Sequence, residues 1–403
     1  MSEFVLLRKT AEMETKLWNR NFILACIGNF LMFFSFYLLV PILPIYLDEV
    51  FSASKSAIGA ILSLYALTAL LIRPFSGFIV DSFSRKTVLV ICYFGFFAFF
   101  AGYIAAGTLL LFTIVRSLHG FTFGAVSVAS TTMAIDVMPA EKRGSGIAYY
   151  GVANNLAMCI GPMSTMYLHQ QNASYDMIFL IALLACGLGF VAVSSIKAPR
   201  KEQQKNKLPL SLDRFWLKKA WLESFNLIFI SFSYGLLTTY LAIYGKEELG
   251  IESGSGTFFL LFAVGIIISR LAASHWINKG YVAVNITVGT GILIIGYSIF
   301  TICTSPAGYY SSALIIGLGQ GMFLPACQTI FINLAPNSQR GTANSTYLTS
   351  WDIGAGIGIT AGGTIVDYFG YTAAFASAAV SVAIGLLLFT VFTARHFKKY
   401  RLR

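Results

Sequence analysis

The chain has 403 residues, of which 57% are hydrophobic and 11% charged, and carries a formal net charge of +11. A water-soluble protein of this size could not hide so much apolar surface, so the chain belongs in lipid. Its six cysteines lack metal or redox spacing and no Gly-x-x-x-x-Gly-Lys-Ser/Thr loop is present, which argues against a cofactor scaffold and an ATP-driven pump.

Twelve apolar runs, each long enough to cross a bilayer as a helix, follow one another: 22–47, 57–80, 87–106, 109–137, 145–168, 175–196, 220–244, 255–277, 282–303, 308–335, 342–365 and 371–394. A span needs about 20 residues, and in lipid every backbone amide needs an internal partner, so these runs are helices. The first follows a charged leader and has no small-residue cleavage site after it, and it reads as a retained span. Placing the N-terminus in the cytoplasm puts 23 of the 28 Lys and Arg on that side, with only Lys55 and Lys246 in the opposite loops. This bias puts both termini in the cytoplasm of a cell bounded by a cytoplasmic (inner) membrane. The positive charge therefore faces the lipid bilayer and does not imply nucleic acid. The basic run from Lys197 to Lys219 is a solvated linker or a lipid or partner site.

That run divides the chain into a six-helix bundle at 1–196, a linker at 197–219 and a second six-helix bundle at 220–403. An offset of 197 residues, without gaps, aligns Tyr37 with Tyr234, Gly59 with Gly256, Arg73 with Arg270, Gly120 with Gly317 and Gly124 with Gly321. It also aligns Pro139, Arg143 and Gly144 with Pro336, Arg340 and Gly341. The fold class expected is an all-α membrane protein of two pseudo-symmetric bundles, the second a parallel copy of the first.

Between the second and third runs lies Gly77-x-x-x-Asp81-x-x-x-Arg85-Lys86. With the twelve helices, the two halves and the basic central linker, it resembles the loop signature of the major facilitator superfamily over almost the whole chain. Gly77 and Asp81 share a helix face, and a bare glycine lets a neighbouring helix come close. The resemblance implies that this neighbour starts near Thr342, that Arg85 pairs with Asp136, and that Gly77, Asp81, Arg85, Lys86 and Asp136 form a gate. Arg85 and Lys86 could also serve only as topology anchors. Ser84 stands where the family usually has glycine, which is expected to weaken the turn. In the second half the matching positions are Ser274 and Asn278.

Arg116-Ser117-Leu118-His119-Gly120 continues the resemblance, and in proton-coupled members such an arginine is associated with coupling. A charge inside a span is costly unless paired or wetted, so Arg116 is a functional candidate on its own. His119, three residues on, is a packed neutral histidine or a proton carrier. Gly161-Pro162 ends a segment like the helix-five motif of antiporters, although Ala148, Ala157 and Thr165 stand where glycines are usual. Val40-Pro41 with Pro44 also resembles the twelve-span drug-efflux branch.

Asp352 lies about ten residues into the eleventh run, near mid-membrane. A carboxylate at that depth suits loading and releasing a proton, binding substrate, or pairing with a base. Its repeat mate is Asn155. Trp351, Tyr37, Tyr234, Tyr150, Asn154 and Gln320 complete an aromatic and amide lining suited to an amphipathic small-molecule substrate. Arg73 and Arg270 could bind an anionic group, reach toward headgroups or brace the gate. The first helix carries no acid, only Asn29, which disfavours a cationic drug relative to a neutral, zwitterionic or anionic compound. These readings converge on a proton-coupled exporter of a small organic compound, a monomer without cofactor and not an enzyme. Proton-coupled import is the alternative, and a non-transporting sensor on the same fold the second.

Overall fold

The computed structural model describes residues 16–53, 55–197, 212–251 and 254–402. Helices account for nearly all of them. In order they are α1 (Arg20–Leu39), α2 (Ile42–Phe51), α3 (Lys55–Ser82), α4 (Arg85–Ala105), α5 (Leu109–Asp136), α6 (Arg143–Gln170) and α7 (Tyr175–Ser194). Then come α8 (Trp221–Glu247), α9 (Gly254–Asn278), α10 (Val282–Ile302), α11 (Pro306–Leu334), α12 (Arg340–Leu388) and α13 (Ala394–Tyr400).

Among the described residues, ten helical stretches are long and apolar enough to cross a bilayer. The last of them, Asn337–Tyr400, is two crossings, because Gly370 (φ 80°, ψ 171°) breaks the helix ladder. The 28-residue α6 is long enough to cross but more polar, carrying Asn154 and Asn155. Twelve crossings result, close to the twelve apolar runs. The first differs from the single helix expected at 22–47: it is broken at Val40-Pro41 into α1 and α2, since Pro41 offers no amide hydrogen to the ladder.

Short polar residues start the helices. Asn19 accepts from the Phe22 amide at 2.9 Å, and Thr108, Ser174 and Ser305 cap α5, α7 and α11 in the same way. Ser84 (φ −61°, ψ 112°) caps α4 through the Thr87 amide. The turn there needs no positive φ, so serine does not weaken it as expected.

Contacts gather the described residues into two compact units. The first holds the chain up to Gly146 and resumes at Ala153; the second holds Ile147–Val152 and the chain from Leu212 onward. Within the first, α3 packs on α5, α1 on α7, and α4 on both α5 and α7. Within the second, α9 packs on α11, α8 on α12, and α10 on both α11 and α12.

Glycines set the closest approaches, and they do so at the same places in both units. A Cβ on Gly120 would stand 2.3 Å from the Tyr65 carbonyl oxygen, and one on Gly317 2.2 Å from that of Phe262. One turn on, Gly124 meets the Ala69 carbonyl and Gly321 that of Ile266, each at 2.4 Å by the same measure. The partners Tyr65 and Phe262, and Ala69 and Ile266, are themselves 197 residues apart. After each unit's fourth crossing, Ala140–Lys142 and Asn337–Gln339 form matching single 3-10 turns. The repeat is thus one of helix-to-helix contacts, as well as of letters.

Candidate functional site

Three groups of the residues singled out from sequence can be placed. The first lies at the seam of α3 and α4. Arg85 is buried and holds Asp81, one turn earlier, at 2.9 Å, while its other terminal nitrogen bonds Asp136 at the end of α5. Both carboxylates are nearly buried, so the one guanidinium serves two acids from two helices. Gly77 is buried one turn before Asp81. Lys86 turns away from this pair: its ammonium donates to the carbonyls of Val193, Ser194 and Ile196 at 2.8, 2.6 and 2.8 Å. It thereby caps the C-terminal end of α7, where backbone carbonyls lack partners and the helix dipole is negative.

The second group surrounds Arg116, on the α3–α4–α5 side of the first unit. Gly120 brings α5 so close to α3 that Tyr65 lies under the arginine, with the guanidinium carbon 4.1 Å from the ring centroid. Thr68 ties the same two helices through the Ser117 carbonyl at 2.8 Å. Arg116 donates to the Tyr103 hydroxyl of α4 at 3.2 Å, and that hydroxyl is 2.8 Å from Nδ1 of His119. Phe96 and Phe100 pack on the imidazole with ring centroids 4.5 and 4.7 Å away. Arg116 is 5% exposed, and none of its contacts among the described residues is to a carboxylate. A desolvated cation over an aromatic face is worth about 2 kcal/mol. The arginine is therefore held by rings and a neutral hydroxyl, with its charge not cancelled. Tyr65 and Tyr103 escaped the sequence reading: each is an ordinary tyrosine in an aromatic-rich span, and only folding brings it to Arg116.

The third group lies on α8, α11 and α12. A Cβ on Gly354 would stand 2.0 Å from the Ser231 hydroxyl, and one on Gly358 2.0 Å from the Phe232 carbonyl, so α12 lies directly on α8. Trp351 reaches the Tyr234 ring, 5.1 Å between centroids. Asp352 is half-buried and, two residues before Gly354, points to the side of α12 away from that contact. Gln320 is buried on α11, and its Nε2 has no hydrogen-bond partner among the described residues; the same holds for Asn155 Nδ2 and Asn154 Oδ1 on α6. A buried amide left so costs about 1–3 kcal/mol. Tyr37 is half-buried on α1, where Gly161 of α6 packs on its Cβ, and Tyr150 is buried on α6. Tyr37, Asn154 and Asn155 belong to the first unit with Arg116, and Tyr150, Tyr234, Gln320, Trp351 and Asp352 to the second.

A duplicated helical unit that crosses the membrane many times, with an uncancelled arginine and open amides inside its helix packing, defines a polytopic membrane transporter for small molecules. Residues 25–322 and 286–402 match the family model of the Major Facilitator Superfamily, and the chain belongs to that superfamily. It is 26% identical over 371 residues to the "uncharacterized MFS-type transporter YhhS" of Escherichia coli (strain K12), covering 89% of each chain. Its fold is similar to that of the human organic anion transporter MFSD10 (TM-score 0.78, 17% identity, 92% of this chain and 99% of that one). It is also similar to that of the transporter FucP in its outward conformation (TM-score 0.76, 15% identity, 92% and 97%).

Proposed function

We propose that the chain is a secondary transporter that works by alternating access and exports a small organic anion or zwitterion in exchange for protons. The observation that carries this reading is Arg116, a buried cation held by Tyr65 and Tyr103, with no carboxylate among its described contacts. Such a group attracts a carboxylate, sulfonate or phosphate on the cargo and repels a cationic drug. Asp352 is the proton carrier, and exchange requires that the cargo at Arg116 and the proton at Asp352 be loaded in alternation, never together. Tyr37, Tyr150, Asn154, Asn155, Tyr234, Gln320 and Trp351 line the cargo's path and supply stacking surfaces and amide hydrogen bonds. Gly77, Asp81, Arg85 and Asp136 hold the gate, with Lys86 fixing the helix beside it.

The residues at 1–196 and 220–403 act as the two moving bundles, joined by the basic linker at 197–219, with both termini in the cytoplasm of a monomer in the cytoplasmic membrane. Export follows from the Gly161-Pro162 segment and from the likeness of the first span to the drug-efflux branch. The fold does not choose a direction, because fold and activity are separable.

The test is flux of a panel of aromatic and aliphatic carboxylates in everted and right-side-out vesicles, with and without a pH gradient. Gradient-driven accumulation in everted vesicles is the expected result; accumulation only in right-side-out vesicles would establish proton symport instead. Asp352→Asn is expected to lower gradient-driven flux about 100-fold, the scale of a lost acid–base group. Wild-type gradient dependence in that variant would remove Asp352 from coupling.

A further inference from the structure

The hydrogen bonds around Arg116 fix the state of His119. A guanidinium can only donate, so in the 3.2 Å contact Arg116 gives a hydrogen and the Tyr103 oxygen accepts it. Tyr103 then has one hydrogen left, and His119 Nδ1 lies 2.8 Å from the same oxygen. If Nδ1 accepts that hydrogen, both contacts of the Tyr103 oxygen pair a donor with an acceptor, and the imidazole proton sits on Nε2. His119 is fully buried, Nε2 has no conventional partner among the described residues, and the imidazole packs against the rings of Phe96, Phe100 and Tyr65. A ring face accepts an N–H weakly, whereas it offers nothing to a bare nitrogen lone pair.

The other two states fit worse. With the proton on Nδ1, two donors converge on the Tyr103 oxygen and its own hydrogen has no described acceptor. With both nitrogens protonated, two cations share one hydroxyl; at ~6 Å and an effective dielectric of ~20 their repulsion is on the order of 3 kcal/mol. The titratable groups around the imidazole are Tyr65 from α3, Tyr103 from α4 and Arg116 on its own helix, with Arg73 of α3 and Cys186 of α7 in electrostatic reach of Tyr65. None is an acid that would hold a second imidazole proton.

We infer that His119 is a positioning residue: a neutral Nε2–H imidazole whose Nδ1 orients the Tyr103 hydroxyl, which in turn aims the Arg116 guanidinium at an anionic cargo. It is not the proton carrier of the cycle. The inference rests on the reading of Arg116 as the group that recognises the anion, and it adds the device that keeps the group aimed.

Two measurements on the full-length protein in lipid nanodiscs test it separately from that reading. The first is the nitrogen NMR spectrum of the protein labelled at its four histidines, with His119 assigned from the signal lost in His119→Asn. The expected spectrum shows Nδ1 bare and Nε2 protonated, unchanged over the range in which a free imidazole titrates. In Tyr103→Phe the two signals should move toward a tautomer mixture. A protonated Nδ1, a titrating His119, or no change in Tyr103→Phe would overturn the inference.

The second measurement is the binding of benzoate, as a plain aromatic carboxylate, by calorimetry. His119→Leu removes the acceptor and should raise the dissociation constant about tenfold, the upper scale of one neutral hydrogen bond. His119→Asn keeps an acceptor oxygen and cannot titrate, so it should bind within about twofold of wild type. Equal loss in both variants would overturn the positioning role. Failure of the wild type to bind any benzoate would overturn the anion reading of Arg116, while the NMR result would still decide the tautomer.

Discussion

In the first unit Gly120 rests on the Tyr65 carbonyl, and one turn earlier Arg116 lies on the Tyr65 ring, bonded to Tyr103 and, through it, to His119. Carried 197 residues along the chain, Gly120 becomes Gly317 resting on the Phe262 carbonyl, and Arg116, Tyr103 and His119 become Ala313, Phe300 and Ile316. All three replacements are at most 1% exposed. The seam diverges likewise: Asp81, Arg85 and Asp136 become Asn278, Val282 and Asn333. Backbone spacing is thus common to both units, while at these positions the charged side chains stand in the first unit and neutral ones in the second. Helix approach is fixed by what has no side chain, and chemistry can be added or removed on the same frame without shifting it.

The comparison can be broken most severely by moving the arginine. Ala313→Arg places a buried cation where Phe262 and Phe300 stand in place of Tyr65 and Tyr103, and is expected to cost several kcal/mol. Loss of monodisperse protein in size-exclusion chromatography would show this. Adding Phe300→Tyr and Ile316→His should recover part of the yield, because the frame around the two sites is the same. Full yield for Ala313→Arg alone would mean that the second site is not dry.

At the seam, Arg85→Gln removes the guanidinium that Asp81 and Asp136 share, at about 3–5 kcal/mol. Its counterpart Val282→Gln only buries an amide, about 1–3 kcal/mol. Thermal unfolding in one detergent should therefore rank Arg85→Gln as the more damaging. The shared frame is probed by Gly120→Ala and Gly317→Ala, each forcing a methyl toward a carbonyl and each expected to cost about 1–3 kcal/mol. Unequal losses would show that the spacing is tighter in one unit. Lys86→Met is the mildest change: it uncaps α7 and should cost about 1 kcal/mol while leaving the Arg85 pairs in place. A loss as large as that of Arg85→Gln would place Lys86 in the same network.

Much of this was legible in the sequence, for identifiable reasons. The membrane forces apolar length and internal hydrogen bonding, so the runs report the crossings directly. The glycines and arginines of the repeat align without gaps because their partner backbones recur at the same spacing. Asp81 and Arg85 lie one turn apart, a separation that sequence shows. The cage around Arg116 was not legible, because Tyr65 and Tyr103 arrive from other helices and look like any aromatic in a span rich in them. Nor was the role of Lys86, whose partners are carbonyls and have no letter of their own. The Ser84 turn was misjudged because a glycine is needed only where φ is positive, and here φ is −61°.

The interruption at Val40-Pro41 has a mechanical meaning. The dihedrals there stay helical (φ −52°, ψ −50° at Val40; φ −79°, ψ −24° at Pro41), so the rod loses a rung without unwinding. The Leu38 carbonyl beside the gap accepts a hydrogen bond of 2.6 Å from the buried Thr165 hydroxyl. The joint is thus held at one carbonyl from another helix, whereas the matching rod Trp221–Glu247 runs through unbroken. Bending is therefore cheaper in the first crossing of one unit than in that of the other, so two copies of one frame differ in stiffness.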